Sequence, residues 1–378
     1  MRTNSVEQAF RSVHKPAGRL VPLTLIACVV VISAGLALPS SAVGAHADEI
    51  VVSTTIQAAV DAARPGDTVR VPTGTYRENV LVTKNNISIE GGPGAVMDGT
   101  GLAGDTGITV TPTASATRID GFSLSGLQIQ NYRENGVLLV SVDNFRISHG
   151  KYTNDDQYGI FPVLSSKGLI ELNQVSGAND TGIYVGQSAD VLVKRNHVSD
   201  CTVGIEIENS SNIEVRDNTA IENCVGIFVD VLPGLDVTAT TGVKVTGNVL
   251  SRNNRPNPVT DLSDLLSQLP SGIGLLNLGG DSVIVMDNIA TQNQSAGIVV
   301  AQLPPAIAAL DPRIDPFPDN NQIRENVALR NGANPDAKLA PFPGSDLLWD
   351  FSGTGNCWAG NVFKTSFPPV LPSCPEDD

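Results

Sequence analysis

The dipeptide Gly-Ile recurs along this chain at an almost fixed interval: Gly159-Ile160, Gly182-Ile183, Gly204-Ile205 and Gly226-Ile227. The steps are 23, 22 and 22 residues, and Gly136-Val137 lies 23 residues before the first. Gly272-Ile273 and Gly297-Ile298 extend the series past insertions. A register of asparagines runs beside it, at Asn173, Asn196, Asn218, Asn248, Asn288, Asn326 and Asn361. A period near 22 with short alternating strands means one supersecondary unit stacked many times. In GIYV and GIEI, the Ile and Val side chains share one face, so they are expected to stack inside at about 4.8 Å per coil. The asparagines are expected to take left-handed turn conformations and to hydrogen-bond in ladders. No chemistry is assigned to them.

Residues 1–47 read as a secretory signal peptide rather than as fold. Arg2, Arg11, Lys15 and Arg19 make a basic start, Leu20 to Leu38 is mostly apolar, and Ala45-His46-Ala47 offers a small-x-small cleavage site. The alternative is a retained anchor, because the apolar run is long enough to span a bilayer. The mature chain would be residues 48–378, a secreted or extracytoplasmic protein without stable membrane insertion. Its 20 Lys/Arg against 38 Asp/Glu, after removal of four basic residues and one acid with the leader, give a net charge of −18. Such an acidic chain is unsuited to nucleic acid. It is unsuited to polyanionic sugars as well, unless a metal ion or a local basic patch intervenes. Four cysteines remain, and an even count in an exported protein suggests disulfides. The pairs expected are Cys357 with Cys374 and, less firmly anchored by geometry, Cys201 with Cys224.

One domain of about eleven coils is expected over 48–378, with no linker or break in composition. Residues 54–63 have helical spacing, with Ile56, Ala59, Val60 and Ala63 on one face. A solenoid must cover its first open coil, and this segment fits a cap. Three insertions, 231–242, 253–271 and 301–322, interrupt the coils. Long loops on a rigid scaffold either wall a binding groove or decorate it.

The segment TIQAAVDAARPGDTVRVPTGTYRENV resembles the opening of many right-handed parallel β-helix proteins, including pectinesterase-like and NosD-like ones. The stretch YGIFPVLSSKGLIELNQVSGANDTGIYVGQSADVLVKRN, with GIEIENS after it, resembles a bacterial family of parallel β-helix repeat proteins of the pectate-lyase-like superfamily that has no settled activity. The resemblance implies an all-β, single-stranded right-handed parallel β-helix with a short N-terminal capping helix. The chain is expected to be a monomer with a polysaccharide as its partner.

Three enzyme groups on that fold can be compared by coil position. Asp155-Asp156-Gln157-Tyr158-Gly159-Ile160 has the offset of the paired aspartates of polygalacturonases, and paired carboxylates serve glycoside hydrolysis. The chain departs in the next coils, with Asp180-Thr181-Gly182 in place of a GHG run and Glu206-Ile207-Glu208 in place of RIK. Mannuronan C5-epimerases carry a YG-x-DPH run. Here Phe161 and Val163 stand where its Asp and His would be, so the acid and base for proton transfer are missing. Pectate lyases use carboxylate-bound calcium and an arginine base. Lys194 and Arg216 share one offset here, but read first as a solvated strand face.

The outward residues two and four past each glycine include Tyr184, Glu206, Glu208 and Asp230, which should cluster on one flat, exposed face. Like charges that close are costly unless they bind a cation or ligand, or one is protonated. Candidate catalytic residues are Asp155, Asp156 and Glu206. Candidate substrate contacts are Tyr158, Asp180, Tyr184, Gln187, Glu208 and Asp230. Glu206, Glu208 and Asp230 are candidate ligands for a hard cation, Ca²⁺ first. The reading is an exported protein that binds and modifies a polysaccharide by lyase, hydrolase or epimerase chemistry. The alternative is a non-catalytic glycan-binding or structural protein. A metal-handling role of the NosD-like kind is disfavoured, because the mature chain holds two histidines, His149 and His197, and two methionines, Met97 and Met286.

Overall fold

The structure, a computed structural model, describes residues 47–261 and 264–375. The expected leader lies, except for Ala47, outside the described residues. Among these, parallel strands form three sheets of twelve, eleven and ten strands. Each strand pairs with its equivalents one coil before and after, so Ile183 lies between Ile160 and Ile205. The chain is a right-handed parallel β-helix. The Gly-Ile strands, Tyr158–Val163, Thr181–Gly186, Val203–Glu208 and Val225–Asp230, belong to the eleven-stranded sheet, here called the front sheet. Ile273–Leu278, Ala296–Ala301 and Ser345–Trp349 continue it. Inside, Ile160, Ile183, Ile205, Ile227, Leu275, Ile298 and Leu347 form one buried stack.

The glycine column exists because backbones approach there. A Cβ on Gly204 would lie 2.5 Å from the carbonyl oxygen of Gly226, and one on Gly226 2.5 Å from that of Gly274. Any side chain would force adjacent coils apart. The same contacts correct the reading after the first insertion. Ile273 pairs with Val225 and Leu275 with Ile227, so the register passes through Gly274-Leu275, two residues beyond Gly272-Ile273.

Buried asparagine holds the bends. In each step the Oδ1 of one ladder asparagine accepts from the backbone N–H and the Nδ2 of the previous one. Asn218 donates to Asn248 at 2.9 and 3.0 Å, and Asn248 donates to Asn288 at 2.9 Å by both groups. The Nδ2 group also reaches a backbone carbonyl, Val215 O in the case of Asn248. The conformational half of the expectation fails. The left-handed residue is the one before each ladder asparagine, as at Leu172, Arg195, Asp217, Asp287 and Glu325, with glycine at 247 and 360. A second ladder sits five residues later, at Asn223, Asn253, Asn293 and Asn331, and ends on Asp346. It was visible as Asn pairs five apart in four coils and was passed over.

The helix Ile56–Ala62 closes the first coil, with the Thr55 side chain accepting from Ala58 N. The far end is closed by the Cys357–Cys374 disulfide, which holds the tail so that Trp358 N donates to Pro372 O. Cross-linking this loop is worth roughly 3 kcal/mol on the chain-entropy model. The pairing of Cys201 with Cys224 does not form; both are buried thiols. Cys201 occupies the second-ladder slot and turns inward, its Sγ against Ser199 O. Cys224 stands one residue past that slot, at Asn223, and therefore faces outward among Phe228, Leu266 and Leu269. No helix of the described residues is long and apolar enough to cross a membrane.

Asn248→Ala removes the acceptor of two Asn218 groups and the donor to Val215 O. Buried unsatisfied groups of this kind cost on the order of 3 kcal/mol together. Chemical denaturation should show that loss for Asn248→Ala. Substitution of Asn144, which is exposed, should cost far less.

Candidate functional site

From Tyr158 onward the front sheet does not present its outer face to solvent, although Leu81 in an earlier coil does. Segments 253–261, 264–271 and 333–344 enter it from one side, while 231–242 and 302–319 leave it on the other. Together they wall a cavity of about 410 Å³ whose floor is the sheet. The expected exposed acidic patch is therefore buried: Glu206, Glu208 and Asp230 are 4%, 3% and 0% exposed. The cause is aperiodic. Leu266 and Leu269 of one insertion, Leu303 and Ile307 of another, and Leu339 and Phe342 of a segment not singled out from sequence form the walls.

Coil register brings the carboxylates together. Glu206 pairs across the sheet with Tyr184 and Phe228, and Glu208 with Gly186 and Asp230. One oxygen from each of Glu206, Glu208 and Asp230 can be chosen so that all lie within 4.8 Å of one another. Thr181 Oγ1 donates to Glu206 Oε2, and the Tyr184 hydroxyl donates to Glu208. Asp230 has neither oxygen hydrogen-bonded. Tyr158 stacks on Tyr184 at 4.8 Å between ring centroids, Phe161 packs against both, and the Tyr158 hydroxyl bonds Asp180. Lys338, in the wall, is the one basic side chain among the described residues lining the cavity.

Burial pushes Glu206 well above the usual carboxylate range, and the charges of Asp180 and Glu208 push it further. Asp230 is raised for the same reasons, burial first and then Glu206 and Glu208. Burial lifts Glu208 to about 7, with the Tyr184 hydrogen bond opposing. All three shifts run toward the protonated form, the form in which three carboxyls can coexist without a basic partner.

Of the residues expected from sequence, Tyr158, Asp180, Tyr184, Glu206, Glu208 and Asp230 line this cavity. Asp155, Asp156 and Gln187 do not. Asp155 stands five residues past Gly150, in the second-ladder slot, and its Oδ1 accepts from Tyr132 N inside the solenoid. Asp156 is exposed at the bend and accepts from Asn179 Nδ2. The aspartate pair is thus split between two sides of the wall, and neither member lines this cavity. Gln187 accepts from Asp236 N and so fastens the 231–242 segment. Lys194 and Arg216 are engaged with Glu171 and with Glu214 and Asp217.

A family model described as "Right handed beta helix region" matches residues 75–232. No curated protein matches the chain by sequence. Among solved structures, the A-module of mannuronan C-5 epimerase AlgE4 from Azotobacter vinelandii matches with a TM-score of 0.61 at 15% identity, covering 85% of this chain and 96% of that one. DFA-IIIase from Arthrobacter chlorophenolicus A6, without its lid and in complex with GF2, matches with 0.57 at 14% identity, over 84% and 89%. The periplasmic alginate epimerase AlgG matches with 0.55 at 14% identity, over 79% and 69%. The likeness is one of fold.

Carboxylates that bind protons more tightly when folded stabilise at low pH and lose that stabilisation as pH rises. For Glu208 the window runs from its unperturbed 4.5 to about 7, and Glu206 and Asp230 extend the loss upward. The aspartates that arginine neighbours hold low, such as Asp143 and Asp311, act below this window. The melting temperature should fall between about pH 5 and 8. A Glu206→Gln/Glu208→Gln variant should melt higher at pH 8 with a flatter profile. An unchanged profile would remove the buried cluster from the account.

Proposed function

We propose that this chain is a carbohydrate-active enzyme that cleaves or transfers a glycosidic bond of a neutral glycan. The observation that carries the reading is the buried cluster of Glu206, Glu208 and Asp230 on the floor of a cavity rimmed by tyrosines. Glycosidic cleavage needs one carboxyl that keeps its proton and one that is ionised. Glu206, raised by burial and by two acidic neighbours, supplies the acid that protonates the leaving oxygen. Glu208, at about 7, is the group most readily ionised and attacks or stabilises the anomeric carbon. A separation within 4.8 Å leaves no space for water between the carboxyls, which favours retention of configuration. Asp230 brings two unpartnered oxygens to sugar hydroxyls, which can both donate to and accept from a carboxyl, and the Tyr158 and Tyr184 rings suit the apolar face of a sugar.

Charge selects the substrate. A uronate in this cavity would meet three carboxyls and no cation on the floor, so a neutral sugar is preferred over the polyuronates for which the epimerases of like fold are named. Work outside the cytoplasmic membrane fits the Cys357–Cys374 bridge. Incubation with neutral oligosaccharides and polysaccharides, with products and anomeric configuration followed by NMR, should give retained products. Glu206→Gln should lower the rate by roughly 10²- to 10⁴-fold. Binding without any product across the panel would leave a non-catalytic glycan-binding protein instead.

A divalent cation on the same three carboxyls is the second reading, favoured by the two unpartnered oxygens of Asp230. Three carboxyls can supply most of the oxygen ligands that Ca²⁺ takes. The two readings conflict at Glu206, because a bound cation would hold it ionised and remove the acid. Calorimetry of chelator-treated, dialysed protein decides. Heat with Ca²⁺ at millimolar concentration or below that is lost in Asp230→Asn supports the cation, and its absence leaves the acid.

A further inference from the structure

We propose that the glycan held at the carboxyls carries an aliphatic aglycone, and that the later coils of the same cavity hold that tail. This rests on the glycan reading above and deepens it. The floor changes character along the solenoid axis. Two and four positions past the glycine, the earlier coils present Tyr184, Glu206, Glu208 and Asp230. At the same offsets the next coils present Leu276 with Leu278, then Val299 with Ala301, then Leu348 with Asp350, whose carboxylate accepts from Gln302 N and Ser352 N. One continuous cavity covers both zones. From Phe228 to Leu348 is three coil steps, about 14 Å of apolar floor at the spacing of paired strands.

Both zones make demands on a ligand. Asp230 sits at their boundary, wholly buried, with both oxygens unpartnered, and calls for hydrogen-bonding groups such as hydroxyls beside it. Beyond it the lining is mainly aliphatic, with walls from Leu266, Leu269 and Leu303, and Gln268, Gln302, Lys338 and Asp350 are its polar members. A plain oligosaccharide laid there would bury hydroxyls without partners, at a cost of about 1–3 kcal/mol for each. A free fatty acid meets the opposite problem, because its carboxylate would join three carboxyls. A neutral sugar head on an aliphatic tail satisfies both zones. The sugar hydroxyls reach Asp230 and the tail covers the leucines. The scissile bond, between head and tail, then falls near Glu206 and Glu208.

The test is calorimetry on the full chain with methyl and n-octyl glycosides of D-glucose, D-galactose, D-mannose and L-arabinose, below micellar concentrations, with n-octanol alone as a third probe. For at least one sugar the octyl glycoside should bind tenfold or more tightly than the methyl glycoside, since about two buried methylenes suffice for that factor. Phe342→Ala in the wall and Leu276→Asn in the floor should bring the octyl-to-methyl ratio toward one. Folding is checked by circular dichroism, so the loop variant carries the test if the floor variant unfolds. Equal affinity for methyl and octyl glycosides overturns the aglycone while leaving the glycan reading in place. Octanol binding as tightly as every octyl glycoside, with no methyl glycoside bound, overturns both. A parallel arm sediments the protein with phosphatidylcholine vesicles containing a dialkyl glycolipid. Co-sedimentation marks a membrane source for the ligand, and binding of the monomeric glycoside alone marks a soluble one. Either supports the shared chemistry.

Discussion

Bends in a parallel solenoid leave backbone groups without a partner in any sheet, and buried asparagine supplies that partner here. Each ladder residue satisfies its own coil and the coils on either side, so the repeats cannot slip without orphaning several buried donors at once. The consequence reaches beyond stability. Once register is pinned, residues at equal offsets superpose, and Glu208 of one coil has Asp230 of the next as its neighbour. The glycine column acts in the same sense, since its close backbone approach admits no side chain. The cluster of carboxyls is therefore a product of stacking, and ladder and site cannot be separated.

What the scaffold places, the insertions enclose. They leave the solenoid at the two bends flanking the front sheet and fold toward each other over it. The coils through 230 contribute acids and aromatics to the floor, and the coils after 270 contribute aliphatics. Enclosure changes the chemistry of groups that would be ordinary surface carboxylates. Removed from water, Glu206 and Asp230 are pushed well toward the protonated form, while burial lifts Glu208 to about 7 against the opposing Tyr184 hydrogen bond. A pair of acids driven apart in proton affinity within one cavity is the condition for acid-assisted bond cleavage.

The architecture was legible because it is periodic. Gly-Ile and asparagine recur at positions where the backbone admits little else, so spacing alone implies stacked coils and predicts which outward residues meet. The failures share a cause as well. For Asp155 and Asp156, offset from a glycine does not give the side of the wall, because the inward or outward sense of a bend residue depends on the ladder slot, which Asp155 occupies. Cys201 and Cys224 were judged by spacing, yet one residue of offset at that bend sends their side chains to opposite sides of the wall. The enclosure was not legible at all. Whether 253–271 lies over the sheet or away from it is decided by where Leu266 and Leu269 find apolar surface. That surface belongs to coils built before and after the insertion. Gly272 in place of Gly274 is the same effect in miniature, because an insertion breaks the count that periodic reading relies on.

Infrared spectroscopy of the carboxyl stretch in D₂O at neutral pH tests the central claim most directly. The account requires protonated carboxyls under conditions where solvent-exposed acids are ionised. A band of protonated carboxyl should be present at pH 7 in the parent protein, and part of it should be missing in Glu206→Gln and in Asp230→Asn. A spectrum in which every carboxyl is ionised at pH 7, with the protonated band emerging only in acid, would contradict the enclosed site and the chemistry built on it.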